Sequence, residues 1–201
     1  MTTESAAPEK RSRSGRGARG RILEAAATLF YEEGIVTTGV ERLAEVAHVS
    51  KRTLYDHFPS KALIVDEYLR QFEESGIDSE RVLDQVQLSP RDRLLGMFAD
   101  LPDNAPLRGC AFHNASVEAA ATMPAVGEAV IRHKTAFLAK LTATAAEAGA
   151  SDPGSLARQI SVLFEGSRAL TTSLQSRDVM AEARAAAAVL IDAATVSSGS
   201  H

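Results

Sequence analysis

Residues 37–61 constrain the fold of this chain more than any other stretch, because they predict two short helices separated by a tight turn. Thr38 can cap the first helix, and Glu41 three residues later can complete a capping box. Ser50 can cap the second helix. Pro59 then ends the second helix, since the residue before a proline avoids the α region.

Apolar spacing assigns one face of each of these helices to a core. The inward positions are Val40, Leu43, Ala44 and Ala47 on the first helix, and Leu54 and Phe58 on the second. The other side chains of the second helix are left facing outward, and they are basic or able to form hydrogen bonds. This is the layout of a helix-turn-helix, whose second helix enters the major groove of DNA. We expect the DNA contacts to come from Thr38, Lys51, Arg52, Thr53, Tyr55, His57 and Lys61.

Different roles are expected within this DNA-contacting set. Lys51 or Arg52 should read bases, since cations hydrogen-bond the edges of guanine. Lys61 follows the cap Ser60, in a first helical turn where the helix dipole disfavours a cation, which indicates a nearby phosphate. Tyr55 could instead pack against the protein, and His57 could be a half-buried, hydrogen-bonded residue.

The run from Leu43-Ala44 through Ala47–Lys61 resembles the DNA-binding segment of the TetR family of transcriptional regulators. The resemblance covers about residues 18–70. It departs from the family at His48, where glycine is usual in the turn, and at Gly39, where Thr or Ser often contacts phosphate. The positions that match the family's first helix and its end are Ile22, Ala25, Ala26, Leu29, Phe30 and Gly34.

The helical pattern after residue 60 and the resemblance together imply an all-α fold. A three-helix helix-turn-helix domain (16–62) would precede a larger helical ligand-binding and dimerisation domain (63–196). The helices expected in the larger domain run over 61–75, 90–101, 110–121, 124–148, 153–176 and 178–196.

Charge is distributed unevenly along the chain. The net charge is −4, which is unusual for a protein that binds DNA. However, the basic residues Lys10, Arg11, Arg13, Arg16, Arg19 and Arg21 follow one another with no acidic residue among them. Residues 1–15 are therefore expected to be a disordered basic arm, which either reaches DNA or is a solvated tail. Residues 197–201 are expected to be a disordered tail.

Composition indicates a soluble intracellular protein, and we expect it in the cytoplasm. No apolar stretch is long enough to cross a membrane, and no apolar signal segment begins the chain. A single cysteine, Cys110, excludes an intrachain disulfide framework.

Effector binding is implied by the resemblance, and the middle helices contain residues suited to it. A small apolar effector would contact Phe98, Phe112, His113, Asn114, Val117, Glu118, Phe137, Phe164, Ser167 and Arg168. His133 is a further polar candidate. The apolar members could equally fill a core. Glu118 could anchor the ligand or pair with Arg168.

We expect no enzymatic activity, no metal and no cofactor. Cys110 and His113 lie within one helical turn, so a redox or metal sensor centred on Cys110 is the alternative. A structural interaction protein with a vestigial DNA-binding domain is a second alternative.

The favoured interpretation is a homodimeric repressor that leaves its double-stranded operator DNA when the effector binds. The last two helices would form the dimer interface. Ala181, Ala185 and Ala188 share one face of the last helix and would permit close helix packing.

Overall fold

The computed structural model describes residues 17–75, 78–101 and 107–195, and within them the chain is built from ten α-helices. A 3₁₀ turn, Val82–Asp84, follows the fifth helix. The helices are α1 (Ala18–Glu32), α2 (Val40–Val46), α3 (Lys51–His57), α4 (Lys61–Ser75), α5 (Asp78–Arg81), α6 (Pro90–Gly96), α7 (Ala111–Glu118), α8 (Pro124–Glu147), α9 (Pro153–Leu174) and α10 (Asp178–Thr195). The all-α prediction is confirmed. The basic arm and the C-terminal tail lie outside the described residues.

Helices α1 to α3 form the head of the molecule, and local sequence signals set most of their boundaries. Ser50 caps α3, and α3 ends immediately before Phe58 and Pro59, as predicted. The prediction for α2 was wrong, because Gly39 and not Thr38 is its N-cap residue. The Thr38 hydroxyl instead donates to the carbonyl oxygens of Gly34 (2.7 Å) and Leu29 (3.3 Å), which holds it beneath the α1–α2 turn.

Helices α6 to α10 form the body, and most of its long helices match the predicted ranges. Helix α6 is shorter than expected: it ends at Gly96 and not near Leu101. A Cβ atom at Gly96 would lie 2.6 Å from Val82, so this position needs the close approach that only glycine permits. Helix α7 ends at Glu118, and α9 ends at Leu174, where Gln175 takes a left-handed conformation with φ of 51°.

Two hydrophobic cores organise the molecule, and the first of them crosses the expected boundary at residue 62. The first core joins the head to α4, α7 and the start of α8. The second lies among the 3₁₀ turn, α6, α8, α9 and α10. The head is therefore packed directly onto part of the body. The domain boundaries stay a prediction, but the apolar packing crosses them.

Within the described ranges, no helix combines the length and the apolar content needed to span a bilayer.

Candidate nucleic-acid interface and effector sites

Helix α3 is fixed in the head by its cap, its buried face and the turn before it. The Ser50 Oγ accepts a hydrogen bond of 3.0 Å from the Thr53 amide. Leu54 is fully buried, and Phe58 is 4% exposed. His48 has φ of 52°, so it takes the left-handed turn conformation for which glycine is favoured. Histidine therefore preserves the turn geometry at this position.

The outward face of α3 presents the side chains expected to contact DNA. Lys51, Arg52, Tyr55 and His57 are all exposed. The Lys51 ammonium lies 2.5 Å from the Glu41 carboxylate on α2. Their hydrogen bond lowers the pKa of Glu41 and raises that of Lys51, so both groups are charged at neutral pH. Because Lys51 is engaged with Glu41, Arg52 is the better candidate for reading a base.

Lys61 begins α4, next to the α1–α2 turn. Its ammonium lies 3.4 Å from the Val36 carbonyl oxygen and donates to it. Partial burial lowers the pKa of this lysine. The preceding Ser60 accepts from the Leu63 amide at 3.3 Å, which confirms that it caps α4. Lys61 is thus held near the first turn of a helix, as a phosphate contact would require.

Thr38 does not belong to the exposed set. It is 1% exposed, and its hydroxyl is used within the head. Its inclusion among the DNA contacts is corrected, because a side chain so buried cannot meet a phosphate without rearrangement of the α1–α2 turn.

Glu118, expected in an effector pocket, instead binds the head. Its Oε2 accepts hydrogen bonds from the backbone amides of Ile35 (2.6 Å) and Val36 (3.3 Å). A Cβ atom on Gly34 would come within 3.0 Å of the same oxygen. Neither expected role of Glu118, in ligand binding or in pairing with Arg168, agrees with this geometry. The carboxylate connects the end of α7 to the α1–α2 turn.

A second polar contact joins the head to the body near Gly109. The Tyr31 hydroxyl on α1 donates to the Gly109 carbonyl oxygen at 3.2 Å, and Arg168 on α9 donates to the same oxygen at 2.6 Å. Arg108 donates to the Tyr31 carbonyl oxygen at 3.0 Å. Burial raises the pKa of the Tyr31 hydroxyl, so it remains a donor at physiological pH.

The aromatic residues expected to line an apolar pocket are packed into cores. Phe98 and Phe137 each lie 5.8 Å, centroid to centroid, from Phe164. All three, and Phe112, are nearly inaccessible to solvent. Among the described residues, the structure therefore does not bring these rings around one apolar cavity.

The other residues predicted to contact an effector do not line one common cavity. Val117 is 73% exposed and faces solvent. The Ser167 hydroxyl donates to the Phe164 carbonyl oxygen within α9. His113, Asn114 and Arg168 do come together with Cys110, around a cavity of about 170 Å³.

Cys110 lies against a lysine in this smaller cavity. The Lys134 ammonium is 3.7 Å from the Cys110 sulfur and forms an ion pair with Glu165. Cys110 is only 6% exposed, and Asn114 is used to donate to the Arg108 carbonyl oxygen at 2.7 Å. Across the described part of the chain, no group of three or more His, Cys, Asp or Glu side chains is placed to hold a metal. The metal-sensor alternative therefore lacks a ligand set there, and the redox alternative stays untested.

A larger cavity of about 310 Å³ lies between α4, α5 and α8. Four of its nine lining residues are acidic, and the lining includes His133 at 4% exposure. The lining residues are Glu73, Glu74, Glu80, Arg81, Asp84, His133, Ala136, Phe137 and Lys140. Of these, sequence reasoning identified only Phe137 and His133 as candidates. The carboxylates were missed because they come from separate elements and follow no motif.

Comparison with known proteins gives a consistent picture of the head. The family profile described as "Bacterial regulatory proteins, tetR family" matches residues 22–68. The HTH-type transcriptional repressor KstR2 of Mycobacterium tuberculosis is 39% identical over 80 residues, which are 40% of this chain and 40% of the repressor. Its counterpart from Rhodococcus jostii is 38% identical over 81 residues, 35% of this chain and 40% of that protein. The match thus spans about two fifths of the length of these curated relatives.

Solved structures extend the similarity to the body. A Streptomyces avermitilis protein described as a TetR transcriptional regulator is 32% identical, with a TM-score of 0.76. The match covers 89% of this chain and 98% of that one. A TetR-family regulator from Streptomyces coelicolor is 26% identical, with a TM-score of 0.74, over 89% of this chain and 96% of that one. These relatives are described as regulators or repressors, in agreement with the expectation that the chain is not an enzyme. The chain belongs to the TetR family of bacterial transcriptional regulators.

Proposed function

We propose that this protein is a homodimeric, effector-responsive transcriptional repressor that acts on operator DNA in the cytoplasm. The observation that carries the proposal is the capped α3 helix, whose inward face is buried and whose outward face presents Lys51, Arg52 and Tyr55. A helix held in this way can enter the major groove without rearranging the core of the head. The repressor relatives support the direction of regulation.

We expect Arg52 to read a base and Lys61 to contact a phosphate, so variants of the two residues should affect DNA binding differently. Arg52→Ala should lower operator affinity by about 1–3 kcal/mol and relax sequence preference, because a bidentate contact to a base edge is lost. Lys61→Ala should weaken binding to all sequences alike, since one phosphate contact disappears. The slope of the logarithm of the binding constant against the logarithm of the salt concentration should become shallower by about 0.9. Fluorescence anisotropy with operator and scrambled duplexes at several salt concentrations measures both effects.

Arg158→Ala is the matched control for these variants, because Arg158 is an exposed arginine near the start of α9. It should bind operator like the wild type. Wild-type affinity and specificity in the double variant Arg52→Ala, Lys61→Ala would refute the proposed docking.

Dimerisation through α9 and α10 is supported by apolar residues left exposed on both helices. On α9, Val162, Leu170 and Leu174 are 72%, 50% and 63% exposed. Gly166 lies between them, and a Cβ atom there would have no neighbour within 4 Å. Val189 on α10 is 69% exposed. A second copy of the chain would cover this stripe, which we call the α9–α10 face.

Ala181 and Ala185, initially expected at the dimer interface, border a groove beside the end of α6. Ala185 is exposed and shares the groove with Gly96 and Phe98. Ala188 lines the same groove and also packs against the second core. The apolar side chains of the α9–α10 face are larger, so burying them would contribute more to association. We therefore centre the proposed interface on Leu170 and not on Ala185.

Leu170→Glu should dissociate the dimer, because association would bury an unpaired carboxylate. The protomer should remain folded, since the position is half exposed within one chain. Operator affinity should fall with the dimer. Ala185→Glu is the control and should remain dimeric in sedimentation velocity. Dissociation by Ala185→Glu, with Leu170→Glu still dimeric, would move the interface to the α6 side of α10.

Communication between body and head is proposed to pass through Glu118. Its carboxylate is the acceptor for two backbone amides of the α1–α2 turn, and that turn also carries the Val36 carbonyl contacted by Lys61. A displacement of α7 would therefore shift the α1–α2 turn, and with it the start of α4 and the first helices of the head. An effector can shift such an equilibrium only by binding the two arrangements with different affinity.

Glu118→Ala should loosen the α1–α2 turn without unfolding the body. Hydrogen bonds to a charged acceptor contribute about 1.5–3 kcal/mol, so amide exchange at Ile35 and Val36 should accelerate by about tenfold or more. Hydrogen-exchange measurements on the free protein test this. Val117→Ala, one residue earlier and facing solvent, is the control. Unchanged exchange at both amides in Glu118→Ala would remove this link from the proposal.

A further inference from the structure

The acidic cavity between α4, α5 and α8 has a charge imbalance that internal ion pairs do not remove. Four carboxylates and two permanent cations line it, which leaves a formal charge of −2 with His133 neutral. Asp84 pairs with Lys140 at 2.8 Å, and Glu74 pairs with Arg70, which lies outside the lining. Arg81, the second of the two cations in the lining, also has an interaction partner. Glu73 and Glu80 remain, with His133 between them.

His133 is buried in the wall of this cavity, between an aromatic ring and two carboxylates. Its ring stacks on Phe112 with centroids 3.7 Å apart and planes inclined by 10°. The Nδ1 atom lies 3.4 Å from the Glu73 carboxylate, with hydrogen-bond geometry. The Nε2 atom lies 3.3 Å from Glu80, but it makes no hydrogen bond and is buried. Buried nitrogen atoms without a partner are rare in proteins, because leaving one unpaired is costly.

The hydrogen-bonding chemistry of His133 and Glu80 indicates which kind of ligand group would satisfy both side chains. If Nδ1 carries the imidazole proton and donates to Glu73, Nε2 is an acceptor. The Glu80 carboxylate, only 13% exposed, is also an acceptor. Two acceptors 3.3 Å apart need a donor that serves both. An ammonium group provides several N–H donors and a positive charge, so it satisfies both atoms and offsets the acidic lining.

We infer that this cavity binds a small organic ammonium ligand whose N–H groups bridge His133 Nε2 and the Glu80 carboxylate. A volume of about 310 Å³ is at the lower end for ligand sites, so it suits a short amine. Ala136 and Phe137 supply an apolar wall for the carbon chain. This ligand class replaces the apolar effector expected from the sequence.

The regulatory meaning of this site rests on the proposed function. Glu73 and Lys61 belong to the same helix, α4, and His133 stacks on Phe112 of α7, the helix that ends at Glu118. A ligand that contacts His133 is therefore linked through Glu73 to α4 and through Phe112 to α7, the two helices that contact the head. Ligand binding can nevertheless be measured without DNA, so failure of this inference is distinguishable from failure of the proposed function.

The test is isothermal titration calorimetry of the full chain with 1,4-diaminobutane, and with the neutral isostere 1,4-butanediol as control ligand. The diamine should bind saturably at one site per chain, and the diol should not bind. Glu80→Gln keeps the shape and removes the charge, so it should weaken diamine binding by at least about tenfold, or about 1.4 kcal/mol. Glu182→Gln, on the exposed surface of α10, is the control and should bind like the wild type.

Several results would overturn the inference. Equal binding of the diol would show that the ammonium charge is not recognised. Equal weakening by Glu80→Gln and Glu182→Gln would show diffuse attraction to an acidic protein. Nitrogen NMR of the free protein supplies a measurement that needs no variant: the inference requires a neutral His133 at pH 7.5. A His133 imidazolium there, with no diamine binding, would show that the histidine itself satisfies both carboxylates.

Discussion

A continuous series of ring contacts from α1 to α8 is the packing interaction on which the molecule depends. Phe30 in the head contacts Tyr68 of α4 at 5.6 Å, and Tyr68 contacts Phe72 at 6.1 Å. Phe72 contacts Phe112 of α7 at 6.3 Å, and Phe112 stacks on His133 of α8. Close-packed interiors transmit displacement because they deform little. The head is therefore set by the body through α4 and α7, and not by a flexible linker.

The positions of individual cations, and not the net charge, are expected to determine how this protein binds DNA. Residues 17–68, which comprise the head and the first half of α4, carry six Lys and Arg against eight Asp and Glu, so this segment as a whole offers no general attraction to phosphate. DNA affinity must then depend on where the cations stand: Arg52 on the outward face of α3 and Lys61 at the start of α4. The basic residues 10–21 precede or begin α1 and would add attraction of the salt-dependent kind. A net charge of −4 is compatible with DNA binding on these terms.

Local signals in the sequence predicted α3 and the start of α4, because caps and turns act over a few residues, but they misplaced the cap of α2 by one residue. The cap at Ser50, the end of α3 before Pro59 and the start of α4 at Lys61 are all confirmed. Long-range partners were not predictable in this way. Glu118 meets amides more than eighty positions earlier in the chain, and Glu73, Glu80 and His133 come from three helices. Such contacts follow from tertiary packing, for which no spacing rule exists. The close approach of Val82 to Gly96, at the end of α6, is likewise a tertiary contact that local signals do not predict.

The most direct test of the central claim is selection of binding sites from random DNA by the purified protein. A dimer that presents two α3 helices should enrich a two-fold symmetric sequence, with half-site centres separated by about 10 base pairs or a multiple of that spacing. The same selection with Arg52→Ala should lose preference at defined positions in each half-site. Failure to enrich any sequence, or enrichment of the same sequence by wild type and Arg52→Ala, would contradict the assignment of α3 as the helix that reads DNA.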